Sequence, residues 1–518
     1  MLSLRSRSVA TGIVCSLALL AVVMAQAPPF QHRWMFVDKK VNSEQGAEQL
    51  LAIVQTGAEH GINGIALNQG LDSDNNSPEF LRWLDRIKGF AKSRSMDLIP
   101  VVFSAGYGAS VVHQNPNLAE GLPVKGALYV AHGGEARLVE DPPVRVTAVH
   151  AETERFKQEI AVTPYRCYRL TLRVHTEDFG PARAFQVQVT GKDGRALGPS
   201  DPRIPATVES QTVTIGFNSA ANGSVRIVAG AGPRHTGKLR MDDLRIEEVG
   251  LVNVLRRPGT PLTVKSEAGK VYEEGKDFEH VADPSLNFRF EHDGPPIRVL
   301  PNSRIREGER LRVSYYHGIA INKGQVTVCM SEPEVYAIWA KQARRIQDRL
   351  APRWWWLDMD EVRAGGTCEA CRKRGMSMGQ ILGDCITRQR QIIKAVNPDA
   401  RIAVWSDMLD PNHNGGQSTY YLVDGNFKGS WNYIPKDLTI ACWYEKVREA
   451  SLAHFSKLGF ETIAAAYYDA DDLENPKKWI ESMRHTPGAT GIVYTTWQNK
   501  YALLPGFGDL LAGSKESK

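Results

Sequence analysis

The chain has 518 residues, 42% of them hydrophobic and 23% charged, with a formal net charge of +5. That length supports a large core and two or three domains, and the composition is that of an ordinary soluble protein. The charge is small for the length and no basic stripe interleaved with aromatics stands out, so no nucleic-acid partner is expected.

Residues 1–27 resemble a secretory signal. Arg5 and Arg7 form a positive start, Ala10 to Val23 is mostly apolar, and Ala25-Gln26-Ala27 offers a small-residue cleavage site before Pro28-Pro29. The expectation is a secreted or periplasmic protein with no membrane partner after cleavage. A retained anchor is the alternative, although the apolar run is short for spanning a bilayer.

From residue 28 to 126 the pattern alternates strand and helix. Trp34 to Asp38 reads as a first strand, Gly61 to Asn68 as a second and Leu98 to Phe103 as a third. Helical spacing fills Ala47–His60 and Phe80–Ser93 between them. The helical period then disappears over 127–315. Tyr168, Leu170, Leu172 and Val174 alternate with polar residues, as do Phe185, Val187 and Val189, and Lys192-Asp193-Gly194 and Asn222-Gly223 mark turns. A jelly-roll-like sandwich over about 140–250 and a small β unit over 251–315 are expected. Such an insert could bind carbohydrate or serve as a structural lid.

The α/β pattern resumes over 316–512, before a short tail at 513–518. Ser331 is read as a helix cap, with Glu334 three residues on. Helices are expected over Val335–Leu350 and Met378–Val396. Strands are expected at Trp354–Met359, Arg401–Trp405, Leu438–Trp443, Glu461–Tyr467 and Gly491–Trp497. Eight strands with mostly helical connections count out a (β/α)8 barrel, interrupted after its third strand by the β-rich insert.

In such a barrel, functional side chains gather where strands end. The fourth strand is the most informative. Trp354-Trp355-Trp356-Leu357-Asp358-Met359 runs directly into Asp360 and Glu361, then Arg363. Two carboxyl groups at one strand end suit glycosidic bond chemistry, which needs one protonated acid and one charged carboxylate. The tryptophans could supply a low-dielectric wall that raises one of the two pKa values. The competing reading is a surface pair of acids at a helix start.

Other strand ends offer Asp38, Asn68, Tyr107, Trp405, Asp407, Asp410, His413, Trp443, Tyr444, Glu445, Tyr467, Tyr468, Asp469, Trp497, Gln498 and Asn499. Aromatic faces stack on pyranose C–H faces, and short polar groups meet hydroxyl rims. His413 could act as a ligand or base, or hold its loop by hydrogen bonds. Seven cysteines are present. Cys368-Glu369-Ala370-Cys371 has half the spacing of a zinc site, but no second CxxC or HxxxH completes it. A disulfide or free thiols are therefore expected, and neither a metal nor a cofactor.

At these residues the chain resembles glycoside hydrolase family 20, the β-N-acetylhexosaminidase-like barrels, over the barrel and not the insert. Arg33 and Asp38 are similar to the family's Arg-Gly-x-x-Leu-Asp opening, and Asp360-Glu361 to its catalytic pair. Tyr467-Tyr468-Asp469 is similar to its Tyr-x-Asp, and Trp497 to the tryptophan of its Trp-x-Glu. The family's His-x-Gly-Gly is here Trp356-Leu357-Asp358-Met359, and the glutamate of Trp-x-Glu is Asn499. The resemblance implies an oligosaccharide or polysaccharide substrate and cleavage of terminal β-linked N-acetylhexosamine, assisted by the substrate's own acetamido oxygen. Catalytic Glu361 would protonate the leaving oxygen, and Asp360, helped by Tyr467, would orient the acetamido group. Arg33, Asp38, Trp405, Asp407, Trp443, Tyr467, Asp469, Trp497 and Asn499 would bind substrate. The alternatives are a carbohydrate-binding barrel without turnover, favoured by Met359 and Asn499, or a glycosidase acting on a sugar without an acetamido group. The latter would pair Asp358 or Asp407 with Glu361.

Overall fold

The computed structural model describes residues 30–146, 155–199, 202–322 and 324–513. The expected signal at 1–27 lies outside the described residues. Among those described, no helix is long and apolar enough to cross a membrane.

Eight parallel strands close into a barrel: β1 (His32–Val37), β2 (Gly64–Leu67), β3 (Asp97–Val102), β4 (Trp354–Leu357), β5 (Arg401–Trp405), β6 (Leu438–Cys442), β7 (Glu461–Tyr467) and β8 (Ala489–Thr496). The strands neighbour one another in chain order, and β8 returns to β1, with Trp34 opposite Val493. Helices Glu44–Glu59, Pro78–Ser93, Pro333–Leu350 and Met378–Val396 pack outside, as the sequence periodicity predicts. The helix at Met378 opens with a full capping box, Ser377 and Gln380 exchanging side-chain and backbone bonds. Ser331 does not cap its helix: the cap is Glu332, and Pro333 begins the helix. A proline at the first helical position has no N–H to satisfy, so the chain gains its start without a side-chain cap.

Strand residues alternate between two cores. Trp34, Phe36, Trp354, Trp356 and Trp405 fill the barrel interior against Ala66, Ala403, Ala441 and Ala465. Met35, Val37, Trp355 and Leu357 face the helices. Large rings on some strands need small residues on others if a closed barrel is to pack without voids. Gly64 shows how tight the fit is: a Cβ there would come within 2.3 Å of the Trp34 ring.

The insert leaves after β3. It holds two three-stranded antiparallel sheets, one of Arg155–Ala161, Ser224–Ala231 and Phe185–Thr190, the other of Thr236–Glu248, Cys167–Gly180 and Val208–Asn218. Their inward residues, including Leu170, Leu172, Val174, Val187 and Val189, form one buried cluster, as period-two alternation requires. The second β unit is larger than the stretch 251–315. Leu122–His132 and Glu135–Leu138 join it, and Leu122 pairs with His317, so the two ends of the insert are sewn together. The sequence pattern did not register this because the pairing partners are far apart along the chain.

Candidate active site

The strand alternation of β4 continues past its last residue. Trp354 and Trp356 point into the barrel, and Asp358 and Asp360 follow in the same phase above them. Asp358 Oδ1 accepts the Trp405 indole N–H at 3.0 Å. Glu361 then adopts φ +46°. This left-handed turn breaks the alternation and lets neighbouring acids address the same mouth.

Glu361 is held on every side. Its Oε2 lies 2.8 Å from Arg363 Nη2 and accepts the Tyr107 hydroxyl at 2.5 Å. Its backbone N–H donates to Asp407 Oδ2 at 3.0 Å, and its carbonyl accepts Gln325 Nε2 at 2.8 Å. Gln325 in turn accepts Arg363 Nη1 at 2.6 Å. Gly106 closes the back of this loop, where a Cβ would sit 2.5 Å from the Asp360 carbonyl oxygen. Four segments of the chain thus converge at Glu361: the loop after β3, the end of the insert, the loop after β4 and the loop after β5.

Burial and mutual repulsion divide the acids. Burial, and then the charges of Asp358, Asp407 and Glu361, push the Asp360 carboxyl well above the usual carboxylate range. Burial pushes Asp358 up to about 7, against the stabilising bond from Trp405. It pushes Asp407 up to about 6, opposed by bonds from the Glu361 N–H, Asn414 and Trp443. Asp360 Oδ1 and Asp407 Oδ1 are buried with no hydrogen-bond partner. Burial and the neighbouring charges therefore favour the protonated form of Asp360, while Glu361 is paired with a guanidinium.

Aromatic rings line the same mouth. Trp443 and Tyr468 stack at 5.7 Å, and Trp497 lies 5.1 Å from Phe36 and 6.4 Å from Trp405. Trp497 keeps 40% of its surface exposed, unusual for a ring this large, and gives the mouth an open apolar face. His413 packs edge-on to Trp443 and stacks on Tyr444, each at 4.5 Å; it is part of the wall. Asp38 accepts Asn68 Nδ2 at 2.9 Å at the rim, and burial raises its pKa.

Four expected binding residues are placed differently. Arg33 sits near the amino end of β1, where it donates to the carbonyls of Gly61 and Phe30, both at 2.7 Å. Its side chain serves the opposite face of the barrel. Tyr467 turns outward: its φ is +82°, and its ring stacks on Tyr494 at 4.2 Å within the helical shell. Tyr468 takes the place at the mouth. Tyr467, Tyr468 and Asp469 all have positive φ, and this run of three shifts the side-chain phase. Asp469 is consumed by β8, accepting the backbone N–H groups of Trp497 at 3.0 Å and Gln498 at 3.2 Å and the Thr496 hydroxyl. It positions Trp497 and has little capacity left for a ligand. Asn499 is an exposed left-handed turn residue, φ +57°.

Tyr107 and Asp358 were visible at strand ends. Gln325, and the pairing of Arg363 with Glu361, carried no sequence signal beyond a basic residue following the acids. The cysteines take one of the two expected states, the free thiol. All six described are buried free thiols. Cys329 and Glu120 stand beside the CxxC of Cys368 and Cys371, four donors that no local spacing joins.

The fold is a (β/α)8 barrel with acids and aromatic rings gathered at the carboxyl ends of its strands. No family model matches the chain, and no curated protein does. Among solved structures, a Flavobacterium johnsoniae chitobiase is similar over 90% of this chain and 45% of its own, at 8% identity and a TM-score of 0.37. An exo-β-N-acetylglucosaminidase from Vibrio harveyi is similar over 91% and 51%, at 11% identity and 0.36. A rhamnosidase from Novosphingobium sp. PP1Y is similar over 90% and 55%, at 11% identity and 0.34. The chain spans about half the length of these structures.

Proposed function

We propose that the protein is an exported glycoside hydrolase that removes terminal β-linked N-acetylhexosamine, or a related sugar, from a glycan. One observation carries this reading. A buried carboxyl whose surroundings favour its protonated form, Asp360, adjoins a carboxylate ion-paired with Arg363, Glu361, beside the rings of Trp443, Tyr468 and Trp497. Glycosidic cleavage needs this division of labour: a proton for the departing oxygen and a negative charge near the oxocarbenium-like centre. The rings would seat a pyranose by its apolar face.

The electrostatics favour Asp360 as the acid and Glu361 as the charged partner, the reverse of the roles implied by the family resemblance. In an acetamido-assisted reaction, Glu361 would face the positive charge that develops on the acetamido group. Asp360 would donate to the leaving oxygen and later accept a proton from water. Tyr107, sharing Glu361 Oε2 with Arg363, would keep that carboxylate aimed.

The test compares Asp360→Asn and Glu361→Gln on β-N-acetylhexosaminides with good and poor leaving groups. Loss of the acid spares substrates whose leaving group departs unaided, whereas loss of the charged partner slows both kinds. Asp360→Asn is expected to show the first pattern. If Glu361→Gln shows it, the roles are those of the resemblance. If the wild type cleaves no chromogenic β-glycoside, the hydrolase reading fails and a binding barrel takes its place. Inhibition by a thiazoline mimic of the cyclised acetamido intermediate would support the assisted route; turnover of sugars lacking the acetamido group, without such inhibition, would remove it.

A further inference from the structure

Behind the Glu361 loop lies a second, separate group of reactive side chains. Cys329, Cys368, Cys371 and Glu120 are all buried, and their donor atoms lie within 4.8 Å of one another. Cys329 Sγ is 3.4 Å from Cys368 Sγ and 3.7 Å from Cys371 Sγ. Glu120 Oε2 is 3.8 Å from Cys368 Sγ and 3.6 Å from Cys371 Sγ. A tetrahedron whose corners lie about 2.3 Å from a central zinc has edges of roughly 3.7 Å between sulfurs, somewhat less to oxygen. The observed edges cluster at that value.

The surroundings favour a metal over a bare thiol cluster. Glu120 Oε1 is fully engaged, accepting the Thr367 N–H and hydroxyl, both at 2.9 Å, and the Cys368 N–H at 3.0 Å. These bonds aim the other oxygen, Oε2, at the thiols. Without a cation, Oε2 has only the weak thiol donors of Cys368 and Cys371 at 3.8 and 3.6 Å; a divalent ion between them would satisfy the carboxylate and the sulfurs together. The nearby Arg257 side chain is only 6% exposed, and its Nη1 has no hydrogen-bond partner. Its charge would offset part of the excess negative charge of three thiolates and a carboxylate around a divalent ion.

From this geometry we infer that Glu120, Cys329, Cys368 and Cys371 form a structural zinc site. Soft thiolates in a closed tetrahedral set select zinc over the hard divalent cations, and with four protein donors no position is left open for chemistry. Binding would release the thiol protons and clamp three segments: Glu120 just before the first insert strand, Cys329 four residues after Gln325, and the CxxC of the loop that starts at Glu361. The ion would hold the insert root and the catalytic loop in register without touching substrate.

The experiment measures metal in the full-length protein purified without chelator. About one zinc per chain is expected, released when the thiols are modified. Replacement by cobalt should give the intense visible bands of a tetrahedral thiolate site. Chelation should lower the melting temperature, and zinc should restore it. Cys371→Ser tests the site directly but could fail to fold. Glu120→Gln keeps the side-chain shape and should weaken zinc retention by about tenfold or more in a folded protein. Zinc-free protein whose intact mass is lighter by two hydrogens, with two of the three cysteines linked, would overturn the inference in favour of a disulfide. Three alkylatable thiols and no bound metal after incubation with zinc would overturn it too, as would full zinc affinity in Glu120→Gln.

Discussion

Arg363 Nη2 lies 2.8 Å from Glu361 Oε2, and the Arg363 side chain is almost wholly buried. The two residues are close in sequence, yet the contact depends on the left-handed turn at Glu361 and on Gln325, which arrives from the far end of the insert. Replacing Arg363 by Met would leave Glu361 beside raised-pKa acids without its counter-charge. Breaking such a pair costs about 3 kcal/mol, and activity should fall about tenfold or more through lost orientation of the carboxylate. Urea unfolding and kcat/KM measured together check this; unchanged values in both would show that the pair does not organise the mouth.

Asp407 gives a prediction in pH. Its folded pKa is raised to about 6 from the ordinary 3.8, so between about pH 4 and 6 the folded protein binds more protons than the unfolded chain. Stability from this group is fully present below about pH 4 and is lost as pH rises through about 6. Asp407→Asn can still accept from the Glu361 N–H and Asn414. It should match the wild type near pH 4 and exceed it by up to about 3 kcal/mol at pH 8. Denaturant melts at the two pH values decide; a difference that does not change with pH would contradict the assignment.

The two neighbouring tyrosines separate packing from binding. Tyr467 is buried against Tyr494, so Tyr467→Ala should lose about 3–5 kcal/mol of stability. Tyr468 stacks on Trp443 at the mouth, and Tyr468→Phe should leave the fold intact while Tyr468→Ala raises KM. If Tyr467→Ala instead raises KM with little loss of stability, the phase shift across this pair is wrong.

Gly106 offers a test away from any ionisable group. A methyl there would meet the Asp360 carbonyl oxygen at 2.5 Å and the Glu361 carbonyl oxygen at 3.1 Å. Gly106→Ala should displace the acidic loop, costing about 1–3 kcal/mol and more than tenfold in kcat, a larger effect than such a strain implies for a site remote from the chemistry. Parallel thermal melts and rates distinguish this from general unfolding.

The chain order of eight strands and the β-rich interruption were readable in the sequence because burial alternates locally: two-residue periods mark sheets, and 3.6-residue periods mark helices. The end of β4 was readable for the same reason, since a run as apolar as Trp354–Leu357 must be buried and Asp360-Glu361 must lie just outside it. Tyr467 was assigned to the wrong face because periodicity holds only while the backbone stays extended, and three consecutive left-handed residues reset the phase. Arg33 stands at the start of the first strand, as read, but the sugar-ligand role does not follow, because a motif spacing does not fix which end of a strand faces the ligand.

The amino-acid order thus determined which segments become barrel and which residues stand at strand ends. Tertiary structure alone decided that Tyr107, Gln325 and Arg363 meet at Glu361, and that Glu120 and Cys329 complete the CxxC. Apart from Arg363, two residues from Glu361, these contacts join positions tens to hundreds of residues apart, brought together by barrel closure and by the sewn ends of the insert, and no local period encodes that meeting.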